Sequence, residues 1–183
     1  NYEYFNKHIR KVYNFRVILG SGVNMENFKY FKNNDNKIVF TMMARILRDK
    51  GVLEFVEAAN IVKKDYPDVL FYLLGGINKS FNSISINELR HQIKNNSIEY
   101  FGNIESEDGI YNFLKKTSVL ILPSYHEGIP RSVLEAMSVG RPIITTNAVG
   151  CKETVIEGLN GFKVPIRNIP KLFEKIKYFI INK

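Results

Sequence analysis

The sequence predicts a three-layer α/β domain whose central sheet is mostly parallel. Two observations lead to this prediction. Short apolar runs alternate along the chain with amphipathic helical patterns, which is typical of right-handed βαβ units. The chain also has 183 residues, 45% of them hydrophobic, which is enough for one well-filled core and too little for two full domains.

The expected strands are short apolar runs flanked by polar or turn-forming residues. They lie at 15–19, 37–43, 69–75, 98–102, 119–123, 142–146 and 161–165. Such runs are typical of strands that are covered on both faces in a parallel sheet. We therefore expect helices on both sides of the sheet.

The clearest helix is predicted in "VLEFVEAANIVKK", where apolar residues recur at i, i+3, i+4, i+7 and i+10 and form one stripe. Further helices are expected at 84–95, 107–116, 130–139, 151–157 and 169–182. Residues 1–16 are expected to be the tail of a preceding helix or a linker, so that the domain spans 17–183. Both ends are those expected of a domain cut from a longer chain.

The chain carries a formal net charge of +8, from 26 Lys and Arg against 18 Asp and Glu, and its isoelectric point is near 9.5. This balance suits an anionic partner such as a nucleotide, a nucleic acid or an acidic membrane surface. The basic residues are dispersed, however, without a run of like charges. A composition bias without functional meaning therefore stays open as the alternative.

Several classes of protein are disfavoured by what the sequence lacks. No apolar run approaches the roughly 20 residues that span a bilayer, and the first residues have no apolar core of the signal-peptide kind. Cys151 is the only cysteine, and His8, His91 and His126 have no metal-ligand spacing. We therefore expect a cytoplasmic protein that needs no metal or other cofactor, with peripheral contact to the inner membrane face left open.

A first cluster of candidate site residues lies in "YHEGIPRSVLEAM". Glu127 follows the buried run "VLILP", and Pro130 suits the first residue of a helix that contains Glu135. This places Glu127 on a loop at the carboxyl end of a strand, the edge at which open α/β sheets bind ligands. The alternative is that both acids are solvated and that Glu127 merely favours the helix N-terminus.

A second cluster lies in "ARILRDKGV", between a strand and the clearest helix. Arg45, Arg48 and Lys50 would lie at the same edge of the sheet as Glu127. Cations before a helix N-terminus make a phosphate site, with arginine as a planar fork and lysine as a point charge. A solvated loop in which Asp49 pairs locally is the alternative.

Other patterns are less specific. The turns "LGSG" and "LLGG" follow strands but do not extend to G-x-G-x-x-G, and the sequence contains no P-loop motif. Tyr100 and Phe101 offer aromatic faces to a ligand, although at least one of them, Phe101 first, is expected in the core. His126 beside Glu127 could act as a base, but a single loop histidine is more often incidental.

The chain resembles the retaining glycosyltransferases of family 4, which have the GT-B fold. "EGIPRSVLEAM" resembles their E-x7-E signature, and "ARILRDKGV" resembles their R-x4-K-G loop. "VILGSGVNMENF" is similar to their hinge segment, and "CKETVIEGLNGFKVP" is similar to their closing segment. These matches occur in the right order from about Val17 to Pro165, which is far more specific than any one of them.

By this resemblance the chain is the Rossmann-like, C-terminal half of a two-domain enzyme. The enzyme would transfer a sugar from a nucleotide-diphosphate sugar to an acceptor with retention. Its N-terminal acceptor domain would be absent from this chain, which alone is expected to be inactive. The catalytic residues would be Glu127, Arg45 and Lys50. The donor-binding residues would be Arg45, Lys50, Tyr100, Phe101, Glu127, Gly128, Ile129, Arg131, Ser132 and Glu135.

The resemblance also implies a role for each part of this site. Arg45 and Lys50 would bind the diphosphate, Glu127 would contact the sugar, and Glu135 would accept the ribose hydroxyls. Backbone N–H groups around the start of the helix would hold phosphate oxygens or sugar hydroxyls. No metal would be needed, since the two cations supply the charge that stabilises the leaving group.

The chain departs from the family at Ser21 and Ala44, where relatives often have Asn and Gly, and "AVGCKET" aligns Glu153 less securely. Two other functions stay open. One is a basic module that binds nucleic acid or an anionic membrane face, and the other is half of a GT-B nucleotide-sugar epimerase. Nucleic acid is the less expected partner, because no aromatic residues are interleaved with the charges. An anionic membrane surface is a further candidate partner of the full-length protein.

Overall fold

The computed structural model describes residue 18 and residues 20–78 and 80–182. Its strands are β1 (Val39–Met43), β2 (Leu70–Leu74), β3 (Glu99–Tyr100), β4 (Val119–Leu122), β5 (Ile143–Thr146) and β6 (Gly161–Val164). They form one six-stranded sheet in the order β3-β2-β1-β4-β5-β6, and every neighbouring pair is parallel. The helices are α1 (Val52–Asp65), α2 (Ile86–Gln92), α3 (Glu107–Lys115), α4 (Arg131–Ser138) and α5 (Ile169–Ile181). The predicted α/β class is confirmed.

The core lies on the two central strands. β1 and β4 are buried along their whole length. The Phe40 ring stacks on the Phe71 ring with 5.3 Å between centroids, and Phe55 of α1 meets Phe71 edge-on at 5.8 Å. Burying such a side chain stabilises the fold by roughly 1.5–3 kcal/mol. The apolar stripe predicted for α1 therefore packs on the sheet.

One expected element differs in the structure, and two others lie outside the described residues. The helix predicted at 151–157 is only a 3-10 turn, Lys152–Thr154. The Asn160 side chain donates to the Thr154 carbonyl at 3.0 Å and accepts from the Ile156 N–H at 2.8 Å, so these backbone groups are used in a turn instead of a helix. The strand predicted at 15–19 and the tail at 1–16 lie outside the described residues, apart from Ile18.

The strand order determines where a ligand can bind. β1 has β2 on one side and β4 on the other, and the connections from these strands run in opposite directions across the sheet. A crevice forms at such a switch point, outside the carboxyl ends of the strands. The two predicted clusters of site residues follow β1 and β4 directly in the chain. Among the described residues, no helix has the length and apolarity that a membrane crossing requires.

Candidate functional site

The segment after β1 is fixed against the end of β4. Its 3-10 turn, Arg48–Lys50, ends at Gly51, whose φ is 77°. A Cβ atom on Gly51 would lie 2.2 Å from the Pro123 carbonyl oxygen, so only glycine permits this contact. The Tyr125 N–H also donates to the Asp49 carbonyl at 2.8 Å. The turn after β1 and the loop after β4 therefore form one structural unit.

This unit brings together one predicted cation and one predicted acid. Lys50 Nζ lies 2.8 Å from Glu127 Oε1, and the two side chains are only 13% and 15% exposed. A pair with so little exposure is screened less by water and salt than a surface pair. The structure thus confirms that the two loops meet at one edge of the sheet.

The loop that carries Glu127 is also held from its other side. The Glu127 N–H donates to the Val149 carbonyl at 2.9 Å. Gly150 has a φ of 83°, and a Cβ atom there would lie 1.7 Å from the Gly128 carbonyl oxygen. The Gly150 N–H in turn donates to Glu153 Oε2 at 2.7 Å. Glu153 therefore supports this loop, and any larger residue at position 150 would displace it.

The start of α4 presents free hydrogen-bond donors. Pro130 immediately precedes the helix and does not begin it, since its ψ of 117° is extended, while its carbonyl accepts from the N–H groups of Val133 and Leu134. The following N–H groups have no acceptor among the described residues: those of Gly128, Ile129, Arg131 and Ser132. Unpaired N–H groups and the helix macrodipole favour an anion at this position. The loop and helix start can therefore receive an anionic ligand.

Beside this loop lies an open cleft of about 390 Å³ at the carboxyl ends of β1 and β2. It is lined by four of the predicted residues, Arg45, Arg131, Ser132 and Glu135. It is also lined by residues that the sequence did not single out, including Gly75, Gly76, Asn103, Ile104, Glu105 and Glu107. Lys50 and Glu127 do not line this cleft, but they lie at the same polar edge of the sheet, and the loop from β4 connects Glu127 to the helix that carries Ser132 and Glu135.

Glu135 is the most deeply placed charge of the cleft, with only 4% of its surface exposed. Burial raises the pKa of its carboxyl group above the ordinary value, and the neighbouring Arg131 guanidinium opposes this rise in pKa. Arg131 Nε donates to Glu135 Oε1 at 2.8 Å, and Arg131 Nη2 lies 2.5 Å from Glu107 Oε1 at the start of α3. In the cleft, the Arg131 guanidinium thus contacts two carboxylates, those of Glu135 and Glu107.

One predicted cation of the first loop does not join this group. Arg48 Nη2 lies 2.6 Å from Glu88 Oε1 of α2. The prediction that Arg45, Arg48 and Lys50 act together is therefore wrong for Arg48, because a carboxylate on a neighbouring helix attracts it elsewhere.

The two predicted aromatic residues lie outside the lining of the cleft. The Tyr100 hydroxyl donates to the Gly75 carbonyl at 2.8 Å. Phe101 is 39% exposed, and its ring packs edge-on against Tyr72 and Phe113 with centroids 4.9 and 5.0 Å away. The expectation of a core position for Phe101 is thus wrong, because β3 is the edge strand and leaves part of this ring uncovered.

Some of the cleft residues that were not assigned to the site from the sequence could have been predicted from it, and others could not. Gly75 and Gly76 belong to "LLGG", a glycine turn directly after β2, and every turn after a parallel strand lies at the carboxyl edge. Glu107 has no comparable pattern, because an acid in the first turn of a helix is common for reasons of local electrostatics. Its contact with Arg131 depends on how α3 and α4 are placed.

The fold and this polar edge define a doubly wound α/β domain with a candidate ligand site at its switch point. The profile of the family described as glycosyl transferases group 1 matches residues 23–183. The chain belongs to this group 1 glycosyltransferase family.

A curated relative is N,N'-diacetylbacillosaminyl-diphospho-undecaprenol alpha-1,3-N-acetylgalactosaminyltransferase of Campylobacter jejuni. It is 30% identical over 177 residues, which cover 90% of this chain and 44% of that protein. The chain therefore spans less than half the length of this relative.

Two solved structures have the same fold. The C-terminal domain of a group 1 glycosyltransferase, LpcC, from Francisella tularensis gives a TM-score of 0.75 at 24% identity, covering 88% of this chain and 89% of that one. HepE from Anabaena, solved in complex with UDP and glucose, gives a TM-score of 0.72 at 20% identity, covering 88% of this chain and 46% of that one. The described chain therefore has the architecture of a GT-B C-terminal domain.

Proposed function

We propose that this chain is the donor-binding domain of a retaining glycosyltransferase that uses a nucleotide-diphosphate sugar. The observation that carries the proposal is the Lys50–Glu127 pair at 2.8 Å, which is followed directly in the chain by the free N–H groups from Gly128 to Ser132. A cation and an acid beside unpaired N–H donors suit a ligand that has phosphate oxygens next to sugar hydroxyls.

Each part of such a donor can be assigned to a side chain at this edge of the sheet. Glu135, deep in the cleft, would accept hydrogen bonds from the ribose hydroxyls. Arg45 at the cleft wall and Lys50 beside it would bind the diphosphate, together with the N–H groups that precede α4. Glu127, now held by Lys50, would contact the sugar.

The proposed chemistry is cleavage of the bond between the anomeric carbon and the diphosphate oxygen. The electron pair of that bond leaves with the nucleoside diphosphate, and the acceptor hydroxyl forms the new bond as it loses its proton. Arg45 and Lys50 would stabilise the charge that develops on the leaving group. Because these cations supply that charge, we propose that no metal ion or other cofactor is required.

The relatives suggest which donor and acceptor to test first. HepE was solved with UDP and glucose, and the Campylobacter relative is named for transfer to a diphospho-undecaprenol lipid. We propose a uridine diphosphate sugar as donor and a lipid-linked saccharide as acceptor. Such an acceptor would place the full-length enzyme at the cytoplasmic face of an anionic membrane, with a second, N-terminal domain completing the acceptor site.

The proposal is tested by calorimetry of the chain with UDP, GDP and ADP sugars, with and without a metal chelator. We expect one nucleotide to bind most tightly and the chelator to have no effect. Binding to polyanions such as heparin or single-stranded DNA, with no preference among the nucleotides, would contradict the proposal and favour a basic binding module.

A second assay separates binding from transfer. We expect the 183-residue chain to bind its donor and to release nucleotide slowly at most, without transfer of labelled sugar to lipid-linked acceptors. The reason is that holding donor and acceptor in attack geometry can contribute roughly 7–11 kcal/mol, and one wall of the cleft cannot hold both. Rapid acceptor-dependent transfer by this chain would contradict the two-domain proposal.

A further inference from the structure

Four polar side chains form a continuous series across the mouth of the cleft. Asn27 Nδ2 donates to Glu107 Oε2 at 2.5 Å, and Arg131 Nη2 donates to Glu107 Oε1 at 2.5 Å. Arg131 Nε then donates to Glu135 Oε1 at 2.8 Å. The series connects the segment before β1, the start of α3 and the start of α4 to the buried acid of the cleft.

Arg131 needs an external partner to keep its position. Its side chain is 56% exposed, while that of Glu135 is 5% exposed. Because the Arg131 side chain is largely exposed, its i,i+4 contact with Glu135 alone is too weak to hold this long side chain in one rotamer. Glu107 provides the second contact, and both of its carboxylate oxygens are used, one by Arg131 and one by Asn27.

We propose that Glu107 is a positioning residue for donor binding, which acts by holding Arg131 against one oxygen of Glu135 so that the carboxylate stays oriented toward the cleft. This inference rests on the proposed function of the cleft as the nucleotide site. Glu107 itself would not need to touch the donor. It fixes Arg131, and Arg131 fixes Glu135.

The charged groups around Glu135 permit a test, because the two possible roles of Glu107 predict opposite changes in the pKa of Glu135. Arg131 on α4 lowers the pKa of Glu135, whereas the negative charge of Glu107 on α3 raises it by a smaller effect. Arg45, after β1, and Glu105, before α3, line the same cleft. Removing Glu107 as a simple neighbouring charge should therefore lower the pKa of Glu135. Removing it as the anchor of Arg131 should raise that pKa, because the larger influence of Arg131 is lost.

The test is the titration of the Glu135 side chain by carbon-detected NMR in the ligand-free protein, for wild type, Glu107→Ala and Asp108→Ala. Asp108 is the matched control, because it is an exposed acid in the same helical turn. We expect the pKa of Glu135 to rise in Glu107→Ala and to stay unchanged or fall slightly in Asp108→Ala. An unchanged or lower pKa in Glu107→Ala would overturn the proposal.

A second variant and a binding measurement complete the test. Asn27→Ala serves as the second variant in case Glu107→Ala does not fold. It removes the other contact of Glu107, so we expect a smaller rise in the pKa of Glu135. For donor affinity at neutral pH we expect a loss of about three- to tenfold in Glu107→Ala, the size of one net hydrogen bond. The acid limb of the binding profile should also move to higher pH.

The two proposals fail in distinguishable ways. If wild type binds no nucleotide sugar while the pKa of Glu135 still rises in Glu107→Ala, the proposed function is overturned and the contact series stands only as an electrostatic feature. If wild type binds its donor but Glu107→Ala binds it equally well over the whole pH range, the positioning role is overturned.

Discussion

The two ends of the sheet each bury a charged side chain, but they hold it in different ways. At the carboxyl edge, Glu135 is 4% exposed and pairs with the Arg131 side chain. At the amino edge, Arg141 is 5% exposed. Its guanidinium donates to the backbone carbonyls of Thr117, Phe31 and Val139. One charge is held by a side chain and the other by the main chain.

This difference separates a ligand site from a structural joint. The carbonyls around Arg141 belong to the segments that precede β1, β4 and β5, so the guanidinium ties three connections together. The Arg131 side chain, in contrast, is half exposed and contacts only Oε1 of Glu135, so that the other carboxylate oxygen can accept from the hydroxyl groups of a ligand. A buried charge therefore indicates a candidate binding site only where its protein partner leaves part of it available to a ligand.

Cavity size does not make this distinction. A cavity of about 500 Å³ lies at the amino edge around Arg141, and it exceeds the carboxyl-edge cleft of about 390 Å³. The smaller cleft is the one that lies at the switch point of the sheet and beside free N–H groups. Chemistry and topology thus favour the carboxyl edge over the larger volume.

The largest expected effect is on donor binding at the carboxyl edge. Arg45→Ala combined with Lys50→Ala should weaken nucleotide-sugar binding by more than about 100-fold, because both cations that we propose to bind the diphosphate are lost. The measurement is calorimetry, with circular dichroism to verify the fold. Arg48→Ala is the control and should bind as wild type, since Arg48 is paired with Glu88. Equal losses from Arg48→Ala and Lys50→Ala would indicate a diffuse basic patch.

The next effect is on stability at the amino edge. Arg141→Met should lower the free energy of unfolding by about 3 kcal/mol, because several buried carbonyls lose their donor. Urea denaturation measures this loss, and donor affinity should not change beyond the effect of lower stability. Arg131→Met is the matched comparison, for which we expect a clearly smaller loss of stability, because Glu135 lines an open cleft and its carboxylate can still be reached by water. A similar stability loss in both variants would remove the contrast between the two ends.

A third prediction separates the two acids of the site. Glu135→Ala should weaken binding of both the nucleotide and its sugar by about 10- to 100-fold, the size of hydrogen bonds to a charged group. Glu127→Ala should chiefly reduce the preference for the sugar donor over the bare nucleoside diphosphate. Competition binding with both ligands gives these values. Unchanged binding by both variants would contradict the E-x7-E assignment.

The smallest effect concerns the pH dependence of stability. Because burial raises the pKa of Glu135 in the folded protein, this residue contributes stability at low pH that is lost as the pH rises from the ordinary value of 4.5 through the folded value. Glu135→Gln should therefore be more stable than wild type at neutral pH, and the difference should shrink on acidification. Denaturation midpoints at several pH values test this. A constant difference at every pH would contradict it.

Most of the fold could be predicted because its elements are encoded locally. "VLILP" forms β4 and "VLEFVEAANIVKK" forms most of α1, since each burial pattern lies within a few neighbouring residues. The turn at Lys152–Thr154 could not be predicted in this way. Asn160 supplies the hydrogen bonds that divert it from a helix, and nothing in the local pattern indicates that contact.

Part of the site was also predictable, for a topological reason. When helices connect parallel strands, every loop from a strand to a helix lies at the same edge of the sheet, so the loops of Lys50 and Glu127 had to share that edge. The polar contacts of Glu107 were not predictable. Its partners Arg131 and Asn27 lie 24 and 80 residues away, on elements whose separation the sequence pattern does not specify.

By itself, the sequence determined the alternation of strands and helices and the edge at which the charged loops lie. Only the tertiary structure decided which charges meet. Arg48 and Lys50 belong to one 3-10 turn, in which successive side chains differ in direction by about 120°. Two residues apart, they point in different directions, so that Lys50 reaches Glu127 after the adjacent strand β4 while Arg48 reaches Glu88 on α2. The sign of the charge is a property of the residue itself. Which partner the charged side chain meets depends on the direction of that side chain and on which strand or helix lies beside it.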